Sequence, residues 1–167
     1  SNYRIRKIVI STGVVTTLAG SSSGSTDATG TSARFNYPNG ITTDGTNLYV
    51  TDNGNHTIRK IVIDNGTVTT LAGAATSGTT NDNGTSARFE YPYGITTDGT
   101  NLYLVDRNNH QIRKIVISTG VVTTIAGADT ADFANDTGTS ARFNWPTEIT
   151  TDGTYLFVAD YSNHLIR

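Results

Sequence analysis

The chain has 167 residues, 35% of them hydrophobic, and a formal net charge of −2 from 12 Lys and Arg against 14 Asp and Glu. That length supplies one domain with a core of its own, while the weak field offers no basic stripe for a phosphate backbone, so nucleic acid is excluded as a partner. No apolar run reaches the roughly 18 residues needed to cross a bilayer, and the absence of Cys excludes disulfides, thiolate metal sites and Cys nucleophiles.

Residues 1–20 hold two short segments, "IRKIVI" from Ile5 and "VTTLAG" from Val15, separated by a turn, "STG". Residues 33–73 hold four: "GITTD", "NLYVTD", "TIRKIVI" and "TVTTLAG". Each is short and rich in Val, Ile, Thr and Tyr, which suits a pleated, packed surface. "DGT", "DNGNH" and "DNG" supply the turns between them. A link of Gly, Ser, Thr, Asp and Asn follows, and its composition predicts a solvated, flexible loop. Residues 87–127 repeat the four segments, with 30 of 41 positions identical to 33–73. Residues 141–167 repeat the first two segments and begin a third.

Self-similarity with a period of 53–54 residues is therefore the dominant signal. No segment has a useful 3.6-residue apolar period, so essentially no helix is expected. Four strands per repeat predict an all-β fold, a β-propeller of four-stranded blades, with three blade equivalents in the chain. Leu48 and Val50 alternate with Tyr49, so both faces of a strand are apolar, as a sheet covered on each side requires. A β-solenoid is the competing architecture, but it has no need of so many hairpin turns per repeat.

At "VTDNGNHTIRKI" the residues carry a family signature. Asn55-His56, Asn109-His110 and Asn163-His164 each follow an Asp by three positions, at Asp52, Asp106 and Asp160, and each precedes "IR". The whole chain resembles the NHL-repeat β-propellers. Tyr3 departs from the pattern, standing where His would be. The resemblance implies a ring, usually of six blades. Some relatives act as lyases or lactonases and others bind protein or RNA; fold alone transfers none of these activities. Lactonase-like relatives hold a metal with several ligands at the channel mouth. One Glu per chain does not supply that set, so no metal, cofactor or catalytic residue is expected.

Three blades are too few for a closed ring. Residues 1–20 would supply the third and fourth strands of a split blade, and 141–167 the first and second. The expectation is that a second copy completes each split blade, giving a six-bladed homodimer with two-fold symmetry; a nine-bladed homotrimer is the alternative. The stub after Asp160 would then be displaced and fray. The missing Met and the high repeat identity fit a processed chain, a fragment or an engineered protein. The leading functional expectation is thus a structural, self-assembling protein without catalysis; the alternatives are a module for a peptide or small polar ligand and, last, a metal-dependent lactonase or lyase.

Individual side chains have the following expected roles. His56, His110 and His164 fix their own turns, with Asp52, Asp106 and Asp160 accepting backbone or imidazole N–H bonds. Arg34, Arg88 and Arg142 of "ARF" brace one blade against the next, with Phe35, Phe89 and Phe143 packed between sheets. Positions that break the repeat are the candidates for ligand contact at the channel mouth: Glu148, Tyr93, Asn53, Arg107 and Tyr161.

Overall fold

The computed structural model describes residues 2–167. It contains thirteen strands, with short 3-10 turns and no α-helix among the described residues. Two four-stranded antiparallel sheets follow one another: β3 (Pro38–Thr43), β4 (Asn47–Asp52), β5 (Thr57–Val62) and β6 (Val68–Gly73), then β7 (Pro92–Thr97), β8 (Asn101–Asp106), β9 (Gln111–Val116) and β10 (Val122–Gly127). Before them β1 (Ile5–Ile8) pairs with β2 (Val15–Ala19). After them β11 (Ile149–Thr151), β12 (Leu156–Asp160) and β13 (Leu165–Ile166) form a three-stranded sheet.

Each sheet is a meander because each connection is a turn with its own chemistry. In the first hairpin Asp44 Oδ1 accepts the backbone N–H groups of Thr46 (2.8 Å) and Asn47 (2.7 Å), and Asp44 Oδ2 accepts the Tyr49 hydroxyl (2.7 Å). Gly45 at φ 90° completes the reversal. Burial opposes ionisation of Asp44, but these bonds outweigh it and hold the carboxyl far below the usual range.

The core lies between sheets rather than within any one of them. Phe35, Val50 and Ile61 pack with Ile5 and Ala19 at the first seam. Tyr49, Ile58, Phe89 and Ile95 meet at the second, and Val105, Phe143, Ile149 and Val158 at the third. This explains the apolar residues on both strand faces: the second complete sheet is covered on both sides, and the first on one side and, apart from Ile41 of its inner strand, on the other.

The links between sheets are pinned rather than free, contrary to their composition. The first link forms a bridge between Thr29 and Thr67, and Val68 N–H donates to the Ala28 carbonyl at 2.9 Å. The second link does the same at Asn83 and Val121. Gly, Asn and Thr leave the backbone uncovered, and the edge of the outer strand takes up its hydrogen bonds.

Candidate functional site

The repeated polar residues converge at the turn between the second and third strand of each sheet. Asp52 is fully buried. Its Oδ1 accepts the Asn36 N–H (2.6 Å); its Oδ2 accepts Asn55 Nδ2 (2.8 Å) and Arg59 Nη1 (2.7 Å). Asp106 does the same with Glu90 N–H, Asn109 and Arg113, and Asp160 with Asn144 N–H, Asn163 and Arg167. Burial pushes the Asp106 carboxyl up to about 6 against the pull of Arg113 and the donated bonds.

Arg59 and Arg113 are fully buried guanidinium groups. Arg59 Nη1 also donates to the Arg34 carbonyl (3.0 Å), and Nη2 to Asp27 Oδ1 (2.6 Å) and the Thr26 carbonyl (3.2 Å). The Phe35 ring lies 5.1 Å from the guanidinium. The brace that ties the incoming link to the sheet is therefore the Arg of "IRK". This corrects the expectation for Arg34, Arg88 and Arg142. Arg88 and Arg142 donate only to carbonyls one and three residues back, because their backbone sits at the end of a 3-10 turn whose last carbonyls are within easy reach. Phe35, Phe89 and Phe143 do pack between sheets.

The histidines meet expectation at the backbone, and the Asp carboxylates accept backbone N–H groups, but the His side chains depart from it. The His56 backbone closes its own turn, adopting a left-handed φ of 57°. Its side chain reaches the following sheet, where Nδ1 accepts the Tyr91 N–H (3.1 Å). The two rings meet edge-on at 4.7 Å. His110 and Trp145 repeat the arrangement, with an N–H bond of 3.1 Å and rings 6.0 Å apart. Tyr3 and Tyr37 repeat the ring contact at 5.8 Å. Asp52 and Asp106 do not touch imidazole; the His side chains staple sheet to sheet. Burial lowers the pKa of both His56 and His110, consistent with a neutral ring whose Nδ1 is an acceptor.

The mouth candidates separate. Arg107 lies over the Tyr93 ring (5.1 Å) and the Trp145 ring (4.7 Å). Its counterpart Asn53 instead donates from Nδ2 to the Pro92 carbonyl (3.1 Å). Glu148 is exposed, and its carboxylate lies over Gly94, where a Cβ would meet Oε2 at 2.8 Å. Tyr161 is exposed on the last turn and joins none of these contacts. Trp145 belongs to this group and was not among the candidates; its departure from Tyr37 and Tyr91 was the available signal. No group of three or more His, Asp or Glu side chains converges among the described residues.

The NHL-repeat family model matches residues 35–61, the stretch that carries the first complete Asp-Asn-His turn and Arg59. NHL repeat-containing protein 2 from Homo sapiens is 32% identical over 132 residues. This chain is built of NHL repeats. The NHL chain uses 72% of its own residues in that match and spans 18% of the human protein. A Bacteroides thetaiotaomicron protein of unknown function superposes with a TM-score of 0.79 at 27% identity, covering 99% of the NHL chain and 42% of the other. An auxiliary nutrient binding protein from the same organism superposes at 0.78 with 21% identity and the same coverage; this likeness shows the fold. The NHL signature residues thus map onto the buried Asp–Arg pair and the His staple.

Proposed function

We propose that the chain is a structural propeller half that closes into a six-bladed ring with a second copy, without catalysis of its own. One observation carries this reading. Tyr49 of the first complete sheet packs with Ile95 of the next, and Tyr103 packs with Ile149 in the same way. Tyr49 is 0% exposed, and Ile95 and Ile149 are each 6% exposed. The remaining members of the series have no cover: Ile41 is 50% exposed and Phe157 is 43% exposed. These two surfaces are the missing halves of a contact made twice already. Phe157 of one copy against Ile41 of another, and the reverse, is a closed two-fold arrangement.

Strand addition supports the same assembly. β4 pairs with β5 through Asp52↔Thr57 and Thr51↔Ile58. By the repeat, β12 of one copy would take Arg4 and Ile5 of the other. In the single chain Leu165 and Ile166 occupy that place, opposite Asp160 and Ala159, and Arg167 reaches Asp160 at 3.0 Å. The stub therefore does not fray here, because the edge of β12 and the buried Asp160 carboxylate need partners and the stub provides them. Assembly exchanges one set of partners for an equivalent set, with Arg6 in the place of Arg167.

The test is the mass in solution by sedimentation equilibrium. Twice the chain mass of 17.8 kDa is the expected result, and Phe157→Asp should return the protein to a single copy. Three times that mass would indicate nine blades and would sink the dimer. A folded single copy at tens of micromolar would end the reading altogether.

A further inference from the structure

We propose that Arg107 is the anion-binding group of a small-carboxylate site at the turn between the second and third strands of the second complete sheet. The site lies between the second complete sheet and the sheet that follows it, so both its walls belong to one chain. It goes beyond the assembly reading and does not depend on it.

The geometry is that of a guanidinium held against two aromatic rings without a hydrogen-bond partner among the described residues. Tyr93 and Trp145 flank it at 5.1 and 4.7 Å. The Nε atom is buried without a partner. Arg59 and Arg113 also have an unpartnered Nε, but their terminal nitrogens are saturated by Asp, Asn and carbonyl oxygens. Arg107 is in none of the ion pairs, and no hydrogen bond from its guanidinium is formed among the described residues. An Arg fixed by aromatic rings has already lost most of its rotamer freedom, so binding forfeits little more. One N–H from each terminal nitrogen lies along the outer edge of the guanidinium plane, and that pair matches the two oxygens of a carboxylate.

Three residues make this contact, and all three depart from their first-repeat counterparts Asn39, Asn53 and Tyr37: Tyr93, Arg107 and Trp145. At the preceding seam Asn53 is occupied by the Pro92 carbonyl, so that seam has no free donor of this kind. Glu148 is exposed at Gly94, beside Tyr93. It adds a negative charge at the same end of the sheets, which disfavours multiply charged anions relative to a monocarboxylate.

Trp145 is the single Trp of the chain, so its fluorescence reports directly on the surroundings of Arg107. Propionate, at constant ionic strength held with chloride, should give a saturable change with a dissociation constant in the millimolar range. Propionamide, the neutral analogue of the same shape, should give none. Arg107→Gln should weaken propionate at least tenfold, while Arg88→Gln should leave it unchanged. The indole N–H resonance of Trp145 provides a second reading in the unaltered protein. An equal response to propionamide, no saturation in either signal, or unchanged affinity in Arg107→Gln would overturn the proposal. Saturation by inorganic phosphate alone would overturn the carboxylate assignment.

Discussion

His56 and His110 each serve twice, once through a left-handed backbone that closes a turn and once through Nδ1 that holds the next sheet. The residues they hold, Tyr91 and Trp145, also have left-handed φ values of 49°. Such φ values in non-glycine residues carry a strain of about 1–3 kcal/mol each. The staple bond offsets part of that strain, and it needs an unprotonated Nδ1. Both histidines have folded pKa values depressed below 6.5 by burial. As pH falls below 6.5 the unfolded chain binds protons that the folded chain refuses, so stability is lost through that window. Asp106, raised to about 6, has the opposite sign and gains stability for the fold as pH falls from there. Denaturant midpoints from pH 7.5 to 5, compared between the native chain and His110→Asn, cancel the Asp106 contribution. The native chain should lose stability more steeply, since Asn tolerates the left-handed turn but does not titrate.

At the scale of one sheet, the buried Asp–Arg pair decides how the incoming link is held. Arg113 joins Asp106, Asn81 Oδ1 and the carbonyls of Arg88 and Thr80. Removing one member of such a buried pair typically costs about 3–5 kcal/mol, because the other is left without compensation. Arg113→Met should lower the unfolding free energy by that amount, measured by chemical denaturation. Arg88→Gln, which loses only local carbonyl bonds, should cost about 1 kcal/mol. The repeated "IRK" and the Asp seven residues before its Arg were both visible in the sequence. That they meet was not visible, since alternation along a strand does not say which polar side chain turns inward beneath a crossing loop.

For the whole molecule, the spacing between inner strands is set by two glycines. A Cβ at Gly40 would strike the Tyr93 carbonyl, and one at Gly94 would lie 2.6 Å from the Thr147 carbonyl. The third member of this series is Glu148. In the proposed ring it faces Asn39 of the second copy, so that seam must open to accommodate a side chain that the internal seams exclude. Overpacking of this kind costs about 1–3 kcal/mol. Glu148→Gly should therefore tighten association by roughly ten- to a hundredfold, read from the dimer dissociation constant by sedimentation. No change would mean that this seam does not form with the internal spacing.

The repeat period, the four strands of each unit, the turns and the two-sided apolar pattern were all legible in the residues, because strand alternation and turn chemistry are local and recur three times. The Asp-Asn-His turns were legible as motifs for the same reason. Their partners were not. Arg59 meeting Asp52 and Asp27, His56 accepting from Tyr91, and Arg107 lying between Tyr93 and Trp145 each join residues separated by turns or by a whole sheet. Only the stacking of one twisted sheet on the next brings them within hydrogen-bonding or van der Waals distance. The same stacking determines which of three equivalent positions, Ile41, Ile95 and Ile149, faces water.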